Sequence, residues 1–236
     1  MSGRVMFYGG MVSNGLNIYL DASKRDSFQN FQQPNVGGVW KDASGNGNNL
    51  TLSGPITYTQ SNTINYFTLN GSTTYMYSSN FFPIEGPATV CILCRPTATG
   101  NRNFVTISNT TGTVGPFLAF QIGYDATTGT ALSTWKYGGT ILTSGGILNT
   151  SSWYYVCVTY SAQEINTYID GVLISTLASP SIQTGLGRFL IGTYRHLPSP
   201  LQVMQGDVAT CLYYNRTLSS SEILQNYNAT KKRYQL

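Results

Sequence analysis

The chain has 236 residues, of which 9% are charged and 13% aromatic, with 25 Gly, 17 Tyr and a formal net charge of +4. Soluble domains average about 25% charged residues. Only nine carboxylates and one histidine are present, which leaves acid–base catalysis and most metal sites little to draw on. An apolar content of 41% excludes a disordered chain, and no window approaches the ~18 uninterrupted apolar residues of a membrane-spanning helix.

In chain order, residues 1–14 are Gly-rich and carry Met6, Phe7, Tyr8 and Met11. They read either as an arm that docks on a neighbouring subunit or as an extra edge strand, and residues 15–236 read as one domain. Leu16–Asp21 opens a series of short strand candidates. Asp42-Ala-Ser-Gly-Asn-Gly-Asn-Asn49 follows as a tight loop, because its glycines and asparagines tolerate positive φ. Further strands are expected at 50–52, 66–69, 75–78, 89–95, 104–108, 117–124 and 132–137, with Asn70-Gly71 as a hairpin turn between the second and third of these. Residues 153–160 set Trp153, Tyr155, Cys157 and Thr159 on one face against Tyr154, Val156, Val158 and Tyr160 on the other; 166–169 and 172–176 flank Asp170-Gly171 as a second hairpin. Strands at 188–192 and 207–214 complete the set. One helix is predicted at 220–231, where Ser219-Ser-Ser-Glu222 is a capping box and Ile223, Leu224 and Tyr227 form an apolar stripe. Lys231-Lys232-Arg233 reads as a solvated end of that helix and not as a nucleic-acid patch.

Cys91 and Cys94 are three apart on a strand and point to opposite faces, so with Cys157 and Cys211 they are expected to be buried free thiols in a reducing compartment. The N-terminus has no apolar core long enough for a signal peptide. The sequons at Asn49, Asn70, Asn109, Asn149, Asn215 and Asn228 reflect the Asn, Ser and Thr content. Turn signals at short intervals give an all-β, two-sheet antiparallel sandwich of jelly-roll type with one short C-terminal helix. Its expected core holds Leu20, Trp40, Phe67, Leu69, Val90, Ile92, Trp153, Val156, Val158, Ile169, Leu212, Leu218 and Ile223.

Five segments together carry a resemblance. They are Gly15-Leu-Asn-Ile-Tyr-Leu-Asp-Ala22, Trp40-Lys-Asp-Ala-Ser-Gly-Asn-Gly-Asn-Asn49, Phe67-Thr-Leu-Asn-Gly71, Trp153-Tyr-Tyr-Val-Cys-Val-Thr-Tyr160 with Tyr168-Ile-Asp-Gly171, and Leu212-Tyr-Tyr-Asn-Arg-Thr-Leu-Ser-Ser-Ser-Glu-Ile223 with the helix beyond it. The chain resembles the concanavalin A-like lectin/glucanase sandwich, in the laminin-G-like branch found in tailed-phage and large-virus structural proteins. It departs from that pattern at Leu93, where Trp is frequent, at Asn70, where Asp is common, and at Tyr155, which replaces a His. The last two changes remove groups that ionise or bind metal.

The fold hosts lectins, hydrolases, adhesins and structural domains alike. Hydrolysis by its glucanases uses acidic residues at alternating positions of one strand, and no segment here has that spacing; the nearest acidic pairs are Asp21/Asp26 and Glu164/Asp170. His196 lies in a loop with no Gly-x-Ser-x-Gly nucleophile elbow. The expectation is therefore a protein that is not an enzyme. Calcium, common in lectins of this fold, has one weak candidate in Asp42, which reads in preference as part of a self-capping Asx-turn loop, since one carboxylate makes a weak calcium site. Tyr124, Trp135, Tyr137 and Tyr194, with His196, are the candidate ligand contacts near loops. Low charge and abundant Tyr, Thr, Asn and Ser suit broad contact surfaces. These readings and the resemblance imply a viral structural protein, made in the host cytoplasm and located in the virion as a capsid decoration or tail or fibre component. Its expected partners are major capsid or tail proteins, host glycans and further copies of itself, with no nucleic acid and no membrane. The alternative is an adhesin or lectin that recognises host surface glycans.

Overall fold

A computed structural model describes residues 10–28, 37–83, 86–100, 102–109, 117–124, 131–136, 141–178, 186–194 and 200–236. In chain order the strands are β1 (Leu16–Asp21), β2 (Val39–Trp40), β3 (Leu50–Ser53), β4 (Thr57–Thr59), β5 (Tyr66–Asn70), β6 (Tyr75–Pro83), β7 (Ala88–Pro96) and β8 (Asn103–Asn109). They continue with β9 (Phe117–Tyr124), β10 (Ala131–Lys136), β11 (Ile141–Ile147), β12 (Tyr154–Tyr160), β13 (Glu164–Ile169), β14 (Val172–Ala178), β15 (Leu186–Ile191) and β16 (Gln205–Tyr214), and the helix α1 (Ser220–Tyr234) closes the chain. Two antiparallel eight-stranded sheets form the sandwich. Sheet A has the order β14-β13-β12-β7-β16-β5-β4, with β1 paired to the second half of β16; sheet B has the order β11-β10-β9-β8-β15-β6-β3-β2.

The core between the sheets follows from alternation. On β7, Val90, Ile92 and Cys94 point inward; on β12, Val156 and Val158 do so; Leu50 and Leu52 of β3, Met76 of β6 and Phe189 and Ile191 of β15 meet them from sheet B. Around Trp40, Phe67 packs at 4.8 Å between ring centroids, and Phe28 and Tyr58 pack on Phe67 at 4.9 and 5.3 Å. Sheet A is also apolar on its other face. Cys91, Leu93, Tyr155, Cys157, Ala209, Leu212 and Tyr214 turn outward and form a second cluster with Met11, Val12, Ile223 and Tyr234. The expected core residues thus divide between two layers. Leu212, Leu218 and Ile223 belong to the outer one, and Trp153 and Ile169 are only partly buried.

Helix α1 covers this second layer. Ser219 caps it, its hydroxyl accepting from Glu222 N while Glu222 accepts from Ser219 N at 2.9 Å. The helix runs to Tyr234, one turn beyond the predicted Lys231, because its last turn is anchored. The buried Asp21 carboxylate accepts the Tyr234 hydroxyl at 2.7 Å, the Tyr19 hydroxyl at 2.9 Å and Ser23 N at 2.9 Å, and pairs with Arg233 at 3.1 Å. The basic end is therefore a lock for Arg233 as well as a solvated face for Lys231 and Lys232. Residues 10–14 lie along α1 outside both sheets. Asn226 Oδ1 accepts Val12 N at 2.8 Å, and Tyr214 Oη donates to Val12 O while accepting from Asn226 Nδ2. Residues 1–9 lie outside the described residues.

Two expectations are corrected. Asn70-Gly71 is not a hairpin turn. β5 is in sheet A and β6 in sheet B, so the turn is a corner between the sheets. Asn70 Oδ1 accepts the N–H groups of Ser72 and Thr73 at 2.9 Å each and makes an Asx turn, while Gly71, at φ +76, donates to Met204 O. A Cβ on Gly71 would lie 2.8 Å from Gln205 Cβ. Cys91 and Cys157 are not free thiols. They face each other in the β7–β12 register with Cα atoms 4.0 Å apart and form a disulfide under α1, whereas Cys94 and Cys211 are free and buried. Asp170-Gly171, by contrast, is the expected hairpin turn, with φ of 51° and 78°.

The Asp21 lock predicts that Asp21→Ala lowers unfolding stability by about 3 kcal/mol in urea titrations, at the lower end for a broken buried pair because Arg233 keeps contact with water. A second expectation concerns acid. The Arg216 guanidinium, bonded to Glu222 at 2.5 and 3.0 Å, holds the Glu222 carboxyl at about 2 instead of its ordinary 4.5. Its folded value is depressed, so its contribution is present above about 4.5 and is lost as pH falls towards about 2. Stability measured across that window should fall more steeply for the native chain than for Glu222→Gln.

Candidate functional site

With one face of sheet A closed by α1, the outer face of sheet B carries partly exposed side chains along β3, β6 and the start of β15, while Thr106, Ser108 and Leu190 on the same face are buried. On β6, Met76 and Phe82 point into the core, so Tyr75, Tyr77 and Phe81 turn outward. Tyr75 and Tyr77 are half-buried with ring centroids 6.0 Å apart, and Phe81 is 43% exposed. Leu50 and Leu52 point inward on β3, which places Thr51 beside Tyr77 and Ser53 beside Tyr75. On β15, Phe189 and Ile191 are inward and Arg188 is outward, opposite Phe81 in register, with its guanidinium carbon 4.4 Å from the Phe81 ring centroid. Arg188 Nη1 donates to Ser78 O at 2.7 Å and to Ser79 O at 2.9 Å. These bonds hold the cation over the ring, at a bulge in the β6–β15 pairing.

The face is therefore a strip of aromatic rings with hydroxyls and one fixed cation. Rings of this kind stack on apolar faces of ligands, and the hydroxyls and guanidinium supply directional donors. Such a surface can bind and orient a polar ligand. It offers no general acid or base among the described residues.

A family model described as the concanavalin A-like lectin/glucanases superfamily matches residues 65–224. The chain belongs to this superfamily. No curated protein matches the sequence. Among solved structures, this superfamily member is similar to domain 4 of AbnA, a GH43 extracellular arabinanase from Geobacillus stearothermophilus in complex with arabinotriose, at TM-score 0.66 and 14% identity, covering 90% of this chain and 98% of that one. It is similar to the binding domain of Paraclostridial Mosquitocidal Protein 1 at TM-score 0.65 and 14% identity, covering 92% and 53%. It is also similar to Trypanosoma rangeli sialidase in complex with sialic acid at TM-score 0.65 and 16% identity, covering 92% of this chain but only 33% of the sialidase. The chain thus spans about a third of the sialidase's length. Likeness at these identities shows the fold.

The residues expected from sequence fall in different places in this superfamily sandwich. Tyr124 is in the core, against Phe104 at 5.1 Å, and its hydroxyl donates to Leu148 O, so it is no surface contact. Desolvation raises its phenol well above the ordinary value. Tyr194 is 9% exposed, and its N–H donates to Leu201 O. Trp135 of β10 pairs with Gln121, which pairs with Thr106, so its register position lies on the row that runs through Leu190 to Tyr77. Tyr137 and His196 lie outside the described residues. Sequence reading missed Tyr75, Tyr77, Phe81 and Arg188. The alternation Tyr75-Met-Tyr77 was the available signal for the first two.

Asp42 does the work of an Asx turn. Its Oδ1 accepts Tyr19 N and Ser44 N at 2.9 and 2.8 Å, and its Oδ2 accepts the Ser44 hydroxyl and Asn48 N at 2.7 and 3.0 Å. Among the described residues no group of three His, Cys, Asp or Glu could hold a metal ion. The expected outcome is a melting temperature that does not move with added calcium or chelator, while Asp42→Ala costs about 1–3 kcal/mol through its unpaired donors.

Proposed function

We propose that this protein is a non-enzymatic carbohydrate-binding sandwich that engages glycans on the outer face of sheet B. The observation that carries the reading is the strip of Tyr75, Tyr77 and Phe81 with Arg188, on the face opposite α1. A likeness to a domain solved with arabinotriose supports it. The non-enzymatic part is supported by the fate of the acids. Asp21, Asp42, Asp207 and Glu222 are occupied by hydroxyls, N–H groups or guanidinium groups, each in a structural position. Glu85 and Asp125 lie outside the described residues.

A second reading places the protein in a virus particle, made in the host cytoplasm and held by capsid or tail proteins. It is favoured by edge strand β14, where Val172, Leu173 and Ile174 are 64%, 47% and 37% exposed. An exposed apolar edge is a surface for another protein chain. Cosedimentation with intact particles supports this setting, and its absence from purified particles overturns it.

The glycan reading is tested by calorimetry and affinity electrophoresis against a panel of soluble polysaccharides. The Tyr75→Ala/Tyr77→Ala double variant should keep its melting temperature within a few degrees and weaken binding about tenfold, the equivalent of ~1.4 kcal/mol. Failure of the native chain to bind any polysaccharide overturns the reading. Release of reducing ends from a bound polysaccharide overturns its non-enzymatic part.

A further inference from the structure

Arg188 differs from the three described arginines that form ion pairs. Arg95 spends its Nε and Nη2 edge on Asp207, each at 2.7 Å. Arg216 is bound to Glu222, and Arg233 to Asp21. Arg188 uses only Nη1, on the carbonyls of Ser78 and Ser79, and stacks on Phe81. Among the described residues its Nε and Nη2 have no partner. That edge holds parallel N–H groups whose spacing matches the two oxygens of a carboxylate. The side chain is already immobilised by the ring and two carbonyls, so little rotamer entropy remains to be lost on binding.

The surroundings agree. The register sets Ser108 of β8 directly across from Arg188, and the Ser108 hydroxyl is buried with no hydrogen-bond partner. No acidic side chain is present among the described outward residues of β3, β6, β8 and β15. An approaching anion therefore meets a fixed cation with no competing carboxylate.

The geometry points to Arg188 as a carboxylate receptor, so that the sheet B face takes an acidic saccharide, one whose sugar rings stack on Tyr75 and Tyr77 while a uronate carboxylate seats on the Arg188 Nε–Nη2 edge. This inference rests on the glycan-binding reading of the same face. A sulfate ester carries similar charge on a tetrahedral group, and the planar carboxylate fits the planar fork better.

The test is calorimetry on the full chain with three probes: oligogalacturonate, its methyl ester and dextran sulfate. Oligogalacturonate should bind at least tenfold more tightly than the methyl ester and more tightly than dextran sulfate. Arg188→Gln should erase the acid-over-ester preference, and Arg188→Lys should restore only part of it. Equal binding of acid and ester by the native chain overturns the receptor while leaving the glycan face standing. So does an unchanged preference in Arg188→Gln. Tighter binding of dextran sulfate overturns the carboxylate assignment. Binding of none of the three overturns the receptor, and the glycan face then stands or falls on the wider panel. The acid–ester comparison needs no variant, so it decides the matter even if Arg188→Gln folds poorly.

Discussion

Strands β7, β12 and β16 bury side chains on both faces, and the arrangement of the molecule follows from that demand. Val90 and Ile92 face the other sheet while Cys91 and Leu93 face away from it. A sheet that is apolar on both sides needs two covers. Sheet B supplies one. The other is built from α1 and residues 10–14, held down by Asp21 at one end of the helix and by Asn226 near its middle. Burying the Asp21 carboxylate is costly unless every lone pair is used, and two phenols, one N–H and Arg233 use them. The helix therefore sits on sheet A, and the partly exposed rings of β6 lie on the far side of sheet B.

Low charge has the same origin. A domain with two apolar layers has little room for ionisable groups, and several of those described are used as fasteners. Asp207 accepts the Thr68 hydroxyl at 2.6 Å and pairs with Arg95, whose guanidinium lies 5.1 Å from the ring centroids of both Tyr66 and Trp153. Glu222 closes the capping box and binds Arg216. Scarce carboxylates are therefore a mark of structural use, and they leave the surface chemistry to aromatic rings, hydroxyls and amides.

Much of this was legible from residue patterns. Leu16–Asp21 and Phe117–Tyr124 have the strand limits read from the turn-rich stretches around them, and Ser219 caps the helix as its motif requires. What failed was information that alternation does not contain. Asn70-Gly71 signals a tight turn, but whether the chain returns beside its own strand or crosses to the facing sheet is decided by packing. Cys91 and Cys157 lie 66 residues apart, and only the β7–β12 register brings them together. The short strands β2 and β4 and the Gly-containing β11 carry too few patterned residues to stand out. For the site, Tyr124 and Tyr77 look alike in sequence. One faces the core and the other faces out, because β9 and β6 present opposite parities to the same interior.

The helix and the aromatic strip lie on opposite sides of the sandwich, and this gives the domain a back and a front. Any support attached through the end of α1 holds the back and leaves the strip directed away from it. Several copies on one support then share a single orientation. For the glycan binding proposed for the strip, contacts that are weak one at a time would then act at high effective concentration, and avidity, more than the affinity of a single face, would set how firmly the array grips.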